Sequence, residues 1–429
     1  MCQNEKDYNN AIEYLKTSPM FNLSLSSKEL FHSNFLYWIA QKDKSAFKAL
    51  IEALEINIDW PENDENWEVC REHKNFDLCV CEKETKKELL VIENKFKSLP
   101  DKAQLDKYDK KLQNNPDCQK ILLSLTEPFI EKQGNWQWKS YKPLVEALKK
   151  IKENDKFEAY DISLIEDYCG FVNNIITLTE KWREKDQEKD ATFLLDYKAD
   201  DLKHEEDSES KDNVANKRNY YSDAKELRIH DLYGKYRTER LRVMLQEKID
   251  ELSDRKGLEI ITNTAYTRSL PILEVVIRGV GESKDTENNK EPEAFFISIQ
   301  DNQYRHAINA REDINIYSNN VNDMTLPASW SDNVKSSVLR IKEKGDKWNW
   351  FLNYKHSPNH ENNKCFDIEG PNVVLANSGQ RNNVCSFAGS GGVNYIYQYK
   401  KIKADATIEQ VLDLMVNDVE KIIDNFTQE

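Results

Sequence analysis

The chain has 429 residues, too many for a single hydrophobic core of ordinary size, so two or more domains are expected. Hydrophobic residues make up 39% and aromatic residues 10%, enough to fill real cores, while charged residues make up 32% and leave a formal net charge of −15. That balance excludes a protein that coats nucleic acid with its whole surface, which would be basic, so contact with a polyanion has to run through local basic patches.

No apolar run approaches the roughly 20 residues that a membrane helix needs, and Met1 to Asn10 is polar and acidic, unlike a secretory leader. A cytoplasmic chain with no membrane contact is expected. Cysteines stand at 2, 70, 79, 81, 118, 169, 365 and 385, and none forms a CxxC pair matched by a second such pair. They read as buried free thiols, not as a structural zinc site.

In chain order, residues 7–19 and 27–41 read as helices. The second carries an apolar stripe of Leu30, Phe31, Phe35, Trp38 and Ile39, with Ser26 as N-cap and Glu29 three residues on. Residues 46–56 continue the helical pattern. The period then changes to two: 67–74, 76–82 and 88–96 read as strands, the last two joined by the polar KETKK at 83–87, a connection of hairpin length. A helix over 99–113 follows, with Ser98 and Asp101 as a capping pair, ended by Asn114, Asn115 and Pro116. Residues 119–127 read as a fourth strand, and 143–153 and 161–182 as helices.

Residues 183–221 are dense in charge and read as a solvated linker or helical extension. Beyond it, 222–255 reads as one long helix, 271–280, 293–300 and 395–402 as strands, and 331–344 and 407–425 as helices. The expected domains are thus 1–182, the linker 183–221, and a C-terminal α+β domain over 222–429.

The chemistry concentrates in the hairpin. Glu93 and Lys95 lie two apart on one strand and share a face, with Ile92 and Asn94 on the other. If Glu82 pairs with Glu88 across the turn, Asp77 falls directly opposite Glu93. Facing carboxylates repel, and a hard divalent cation with oxygen ligands would offset that repulsion. Lys95 beside it could orient a water or stabilise charge on a phosphate. The plainer alternative is a solvated hairpin face, but that face also carries Cys79, Cys81, Leu89 and Val91, which suits a lined cleft better.

The stretch FDLCVCEKETKKELLVIENK resembles the core of the PD-(D/E)xK nuclease superfamily, an aspartate on one strand and E-x-K on the next. Asp77 matches the motif aspartate, Glu93 the second acid and Lys95 the lysine, while Phe76 stands where the motif has proline. QLDKY at 104–108 resembles the family's Q-x-x-x-Y signature, which brings in Gln104 and Tyr108. SKELFHSNFLYWI resembles the E-x-x-H-S-x-F-L stretch that opens an uncharacterised bacterial group of the superfamily, which makes Glu29 a helix-borne metal acid. The resemblance covers roughly residues 1–180. It implies an α/β fold, a restriction-endonuclease-like core in which a mixed sheet is flanked by helices. It further implies Mg²⁺ or Mn²⁺ held by Glu29, Asp77, Glu93 and the backbone carbonyl of Asn94, and hydrolysis of a phosphodiester in nucleic acid, DNA foremost. The superfamily's association with DNA processing, restriction and phage defence extends to this chain on the same terms.

Each residue also has a plainer role. Glu29 sits where a capping-box glutamate belongs, His32 reads as a hydrogen-bonded core histidine, and Glu68 is an alternative acid. Gln104 and Tyr108 could be ordinary helix residues. Lys97, Lys102, Lys107, Lys110 and Lys111 could track a phosphate backbone or simply be solvated. AGSGGVN at 388–394 lacks the G-K-[ST] of a phosphate loop and reads as a flexible loop. Trp330, Trp348 and Trp350 read as core before base-stacking residues, and Arg305 and His306 stay ambiguous. The C-terminal domain is expected to serve substrate selection, a protein partner or homo-oligomerisation. Two rivals remain, a catalytically silent nuclease-fold binding or regulatory module and an acidic immunity-type protein.

Overall fold

The computed structural model describes residues 3–26, 28–100, 102–128, 135–151, 154–185, 191–195, 220–252, 257–267, 270–279, 294–310, 374–375, 381–388 and 394–426. They divide into two compact units, Met1–Lys185 with Tyr220–Tyr236, and Asp186–Asn219 with Arg237–Glu429.

The first unit opens with helices α1 (Gln3–Thr17), α2 (Pro19–Ser24), α3 (Lys28–Lys42) and α4 (Lys44–Ala53). The expected first helix is split where the sequence places Ser18 before Pro19. The Ser18 side chain accepts from Phe21 N, and proline occupies the first turn of α2, where its missing N–H removes nothing. Asp43 caps α4 in the same way through Ser45 N. Strands β1 (Trp67–Arg71), β2 (Leu78–Glu82) and β3 (Glu88–Lys95) follow, then helix α5 (Lys102–Lys111), β4 (Gln119–Ser124), β5 (Gln137–Ser140), and helices α6 (Tyr141–Ile151), α7 (Ala159–Lys185) and α8 (Tyr220–Glu226).

The sheet order is β1-β2-β3-β4-β5. The first three strands are antiparallel, and β3, β4 and β5 run parallel. A parallel pair needs a crossover, and α5 supplies it between β3 and β4. α5 covers one face, where Leu105, Tyr108 and Leu112 pack with Phe76, Cys79, Cys81, Val91, Cys118, Leu122 and Trp136. α3 packs against β1 and β3. Covered on both sides, β2 and β3 are buried almost throughout, which is why their sequences run apolar with little alternation. This is the mixed sheet flanked by helices that the sequence led us to expect, with β5 as a fifth strand that the sequence reading did not include.

The second unit carries a six-stranded sheet in the order β10-β11-β9-β8-β7-β6: β6 (Leu258–Thr267), β7 (Leu270–Gly279), β8 (Ala294–Gln300), β9 (Gln303–Ala310), β10 (Arg381–Ala388) and β11 (Asn394–Lys401). Every pairing is antiparallel. Helix α9 (His230–Asp250) and helix α10 (Ile408–Phe426) supply Leu241, Leu245 and Ile249, and Val411, Leu412, Met415 and Val419, to a core shared with β6, β7 and β8. The α+β character of this half is as expected. β6, β9 and β10 went unseen in the sequence, because their polar content masks the alternation.

Two expectations need correction. The long helix over 222–255 is broken: α8 ends at Glu226, and Arg228 takes a left-handed φ of 58° before α9 begins. Leu227 and Ile229 are both buried, and two residues two apart cannot share one helix face, so the chain turns to bury both. The charged stretch 183–221 is not wholly solvated either. Ala191, Phe193 and Leu194 lie in the second core, Phe193 N donates to Ala406 O at 2.8 Å, and Ile408 N donates to Ala191 O at 2.9 Å. The surrounding charge hid that short apolar run. The expected helix over 331–344, Trp330, Trp348, Trp350, Asp101 and the centre of the glycine-rich stretch lie outside the described residues.

Candidate active site

The hairpin register follows the sequence reading through its middle. Leu78 pairs with Ile92, Cys79 with Val91 and Val80 with Leu90. Towards the turn it slips: Cys81, not Glu82, faces Glu88. The expected Glu82–Glu88 pairing would set two like charges directly opposite. The irregularity instead leaves Glu88 to ion-pair with Lys74 and to receive a 3.3 Å hydrogen bond from Asn115. One step past Leu78–Ile92, Asp77 comes beside Glu93, and Asp77 Oδ2 accepts from Asn94 N at 2.8 Å.

Glu93 is only 1% exposed. Its Oε1 accepts from Gln104 Nε2 at 2.8 Å and lies 2.9 Å from Lys95 Nζ. Its Oε2 is buried with no hydrogen-bond partner. Gln104 also donates to the Tyr108 hydroxyl at 2.8 Å, and that hydroxyl donates to Asn75 O at 2.8 Å. Gln104 and Tyr108 are one turn apart on α5, so a single helix face meets the E-x-K strand. Asp77, Glu93, Lys95, Gln104 and Tyr108 are thus brought together.

Glu29 joins from α3. Its charge acts on Asp77, and its Oε1 is a second buried carboxylate oxygen with no hydrogen-bond partner. The capping-box role does not hold for it. α3 begins at Lys28, and the Ser26 hydroxyl donates backward to Leu23 O at 3.3 Å. Asn94 projects its side chain to the opposite face, where Nδ2 donates to Ser33 Oγ at 2.6 Å and Oδ1 accepts from the Tyr141 hydroxyl at 2.9 Å. Sequence reading gave no role to Ser33 or Tyr141. Ser33 lay within the quoted E-x-x-H-S stretch, but nothing local marks Tyr141.

The electrostatics follow from burial. Desolvation pushes Glu93 up to about 7, and the Asp77 charge adds to this while Lys95 opposes it. Asp77 is also raised, by burial first, with the Asn94 N–H and Lys95 acting against it and Glu29 and Glu72 with it. Burial raises Tyr108 to about 12. A cluster that resists charging in this way, with two carboxylate oxygens unbonded, fits a hard cation with oxygen ligands. Among the described residues no three His, Cys, Asp or Glu side chains converge closely enough to enclose a metal by themselves.

The loop before Asp77 is strained. Glu72, Lys74 and Asn75 have φ of 53°, 53° and 66°, a region that non-glycine residues seldom occupy. Tyr108 and Lys111 hold it by donating to the carbonyls of Asn75 and Lys74 at 2.8 and 2.6 Å.

Other candidates separate from the site. His32 is fully buried, stacked on Phe96 at 3.8 Å, with Nδ1 2.9 Å from the Tyr168 hydroxyl, and burial holds its pKa well below the usual range. Glu68 pairs with Lys86 on the surface at 2.7 Å. Lys97 is buried and donates to Ser24 O at 2.8 Å, so it cannot track a phosphate backbone. Lys107, Lys110 and Lys111 are exposed on α5. His306 Nε2 lies 2.7 Å from Asp418 Oδ2 within the second unit, and Arg305 bonds Gln303 at 3.0 Å.

A mixed sheet with an acid ahead of one strand, an E-x-K on the next and a supporting crossover helix defines a nuclease-type domain. Residues 20–169 match the family model of the PD-(D/E)XK nuclease superfamily, so this part of the chain is similar to that superfamily. No curated protein and no solved structure matches the chain.

Proposed function

We propose that the first unit is a divalent-metal-dependent nuclease that hydrolyses phosphodiester bonds, with DNA as its substrate. The superfamily makes a nuclease-type function the starting point. The observation that carries the finer reading is the division of labour on Glu93: Oε1 is tied to Gln104 and Lys95, while the buried Oε2 has no hydrogen-bond partner. Glu93, Asp77 and Glu29 would hold Mg²⁺ or Mn²⁺, with the Asn94 carbonyl as a further oxygen. Such an ion supplies Lewis acidity to a phosphoryl oxygen and lowers the pKa of a bound water. Gln104 fixes the Glu93 carboxylate, and Tyr108 anchors Gln104 to the loop ahead of Asp77. Lys95, whose side chain is 11% exposed, offers an ammonium to the attacked phosphate or to the attacking water. The exposed lysines of α5 provide a local basic surface on an acidic chain. We assign the second unit to substrate choice or partner contact, and the whole to DNA processing or defence, on the superfamily's association.

The test is cleavage of plasmid, linear duplex, single-stranded DNA and RNA by wild type and Lys95→Ala, each with Mg²⁺, Mn²⁺ or EDTA. Metal-dependent cleavage of DNA by wild type, reduced at least about 100-fold in Lys95→Ala, supports the proposal. Cleavage that survives EDTA or Lys95→Ala refutes it.

A further inference from the structure

We infer that Ser33, Asn94 and Tyr141 form a buried clamp whose work is to position Asp77 and Glu29 for metal binding, the functional half of which rests on the nuclease reading above. All three side chains are fully buried. Asn94 occupies the side-chain row that β3 otherwise fills with Leu90 and Ile92, an apolar layer where a polar amide is costly unless bonded. Both ends of the amide are bonded. Nδ2 donates to Ser33 Oγ at 2.6 Å and Oδ1 accepts from the Tyr141 hydroxyl at 2.9 Å. Ser33 in turn reaches Glu29 O at 3.4 Å.

Two consequences converge on the acids. The backbone N–H of the same Asn94 donates to Asp77 Oδ2 at 2.8 Å, so fixing the side chain on one face of the sheet fixes the donor that holds Asp77 at its edge. Ser33 and Glu29 are one turn apart on α3, so docking Ser33 onto Asn94 sets the depth and rotation of the helix that carries Glu29. A leucine at 94 would fill the layer without either constraint. Ser33 and Tyr141 are positioning residues: neither is needed at the reacting atoms, and both act through Asn94.

The test uses the full chain as wild type, Tyr141→Phe, which keeps the ring in the core, and Ser33→Ala. Amide hydrogen exchange is first measured in EDTA. The expected result is that Asn94 N–H exchanges at least about tenfold faster in the variants relative to Leu122 on β4, with Mn²⁺ binding, read by calorimetry, weakened about tenfold. Exchange that speeds up in equal proportion across β3 and β4, or does not change, overturns the clamp, because a purely structural bond loosens the whole sheet. Selective loss at Asn94 with Mn²⁺ affinity unchanged overturns its role toward the metal. If wild type itself binds no Mn²⁺, the metal reading falls, and the exchange comparison still decides whether the clamp holds Asp77's donor.

Discussion

Replacing Glu93 by glutamine should stabilise the metal-free protein at neutral pH while abolishing the proposed metal-dependent cleavage. The carboxyl is raised from its ordinary 4.5 to about 7, chiefly because it is buried. The folded state therefore holds a proton that the unfolded chain has released across that interval. Stability is full below the unfolded value and is lost as pH rises through the folded one. The shift corresponds to on the order of 3 kcal/mol, shared with Asp77 because the two carboxyls titrate as a pair. Glutamine can still accept from Gln104 and Lys95 but has no proton to lose. The assay is urea denaturation in EDTA from about pH 5 to about pH 8, a window above the range where ordinary carboxylates titrate. Wild type should weaken by on the order of 3 kcal/mol across it, and Glu93→Gln should stay nearly flat and be the more stable at the upper end. Saturating Mg²⁺ should remove most of the wild-type loss, since the cation binds the folded state. A wild-type profile that is flat in EDTA, or a glutamine variant that weakens equally, would refute the account of a strained carboxylate cluster.

Two further predictions concern stability away from the acids. Asp418, on α10, accepts from the Tyr304 hydroxyl and lies against His306, both at 2.7 Å; burial opposes its charge, but His306 and Lys421 hold it below the ordinary range. Asp418→Ala should cost about 3 kcal/mol, seen in thermal unfolding, and the stability the wild-type carboxylate supplies should be present above about pH 4 and fade as acid is added. In α7, a Cβ at Gly170 would strike the Tyr14 hydroxyl, which donates to Asp167 at 2.9 Å. Gly170→Ala should therefore destabilise by about 1–3 kcal/mol, and Tyr14→Phe in the same chain should restore part of it; no restoration would mean that the clash is relieved elsewhere.

The parts of the site legible in the sequence are those within one hairpin and the helix after it. Period-two patterning fixes which face Glu93 and Lys95 share, a five-residue connection fixes their partner strand, and a one-turn spacing aligns Gln104 with Tyr108. The register prediction failed only near the turn, where opposed glutamates are avoided. What escaped notice were the contacts made between distant segments. Tyr141 stands just ahead of the expected helix over 143–153 with nothing to single it out, and Lys97 reads as a surface lysine, because side chains buried by another element carry no local mark. β6, β9 and β10 were missed for a related reason. Polar residues along them, such as Asn263 and Gln303, blur the pattern that hydropathy alone can show.

The hairpin also bears on the order in which the domain assembles. Asp77 meets the Asn94 amide across 17 residues of chain, whereas Tyr141 and Ser33 reach the same residue across 47 and 61. Closing a short loop is entropically easier than closing a long one, and contacts of long sequence separation come late in folding. Asp77 and Glu93 are therefore the first of the site's acids to meet, while the segments that carry Glu29, Ser33 and Tyr141 are still being gathered.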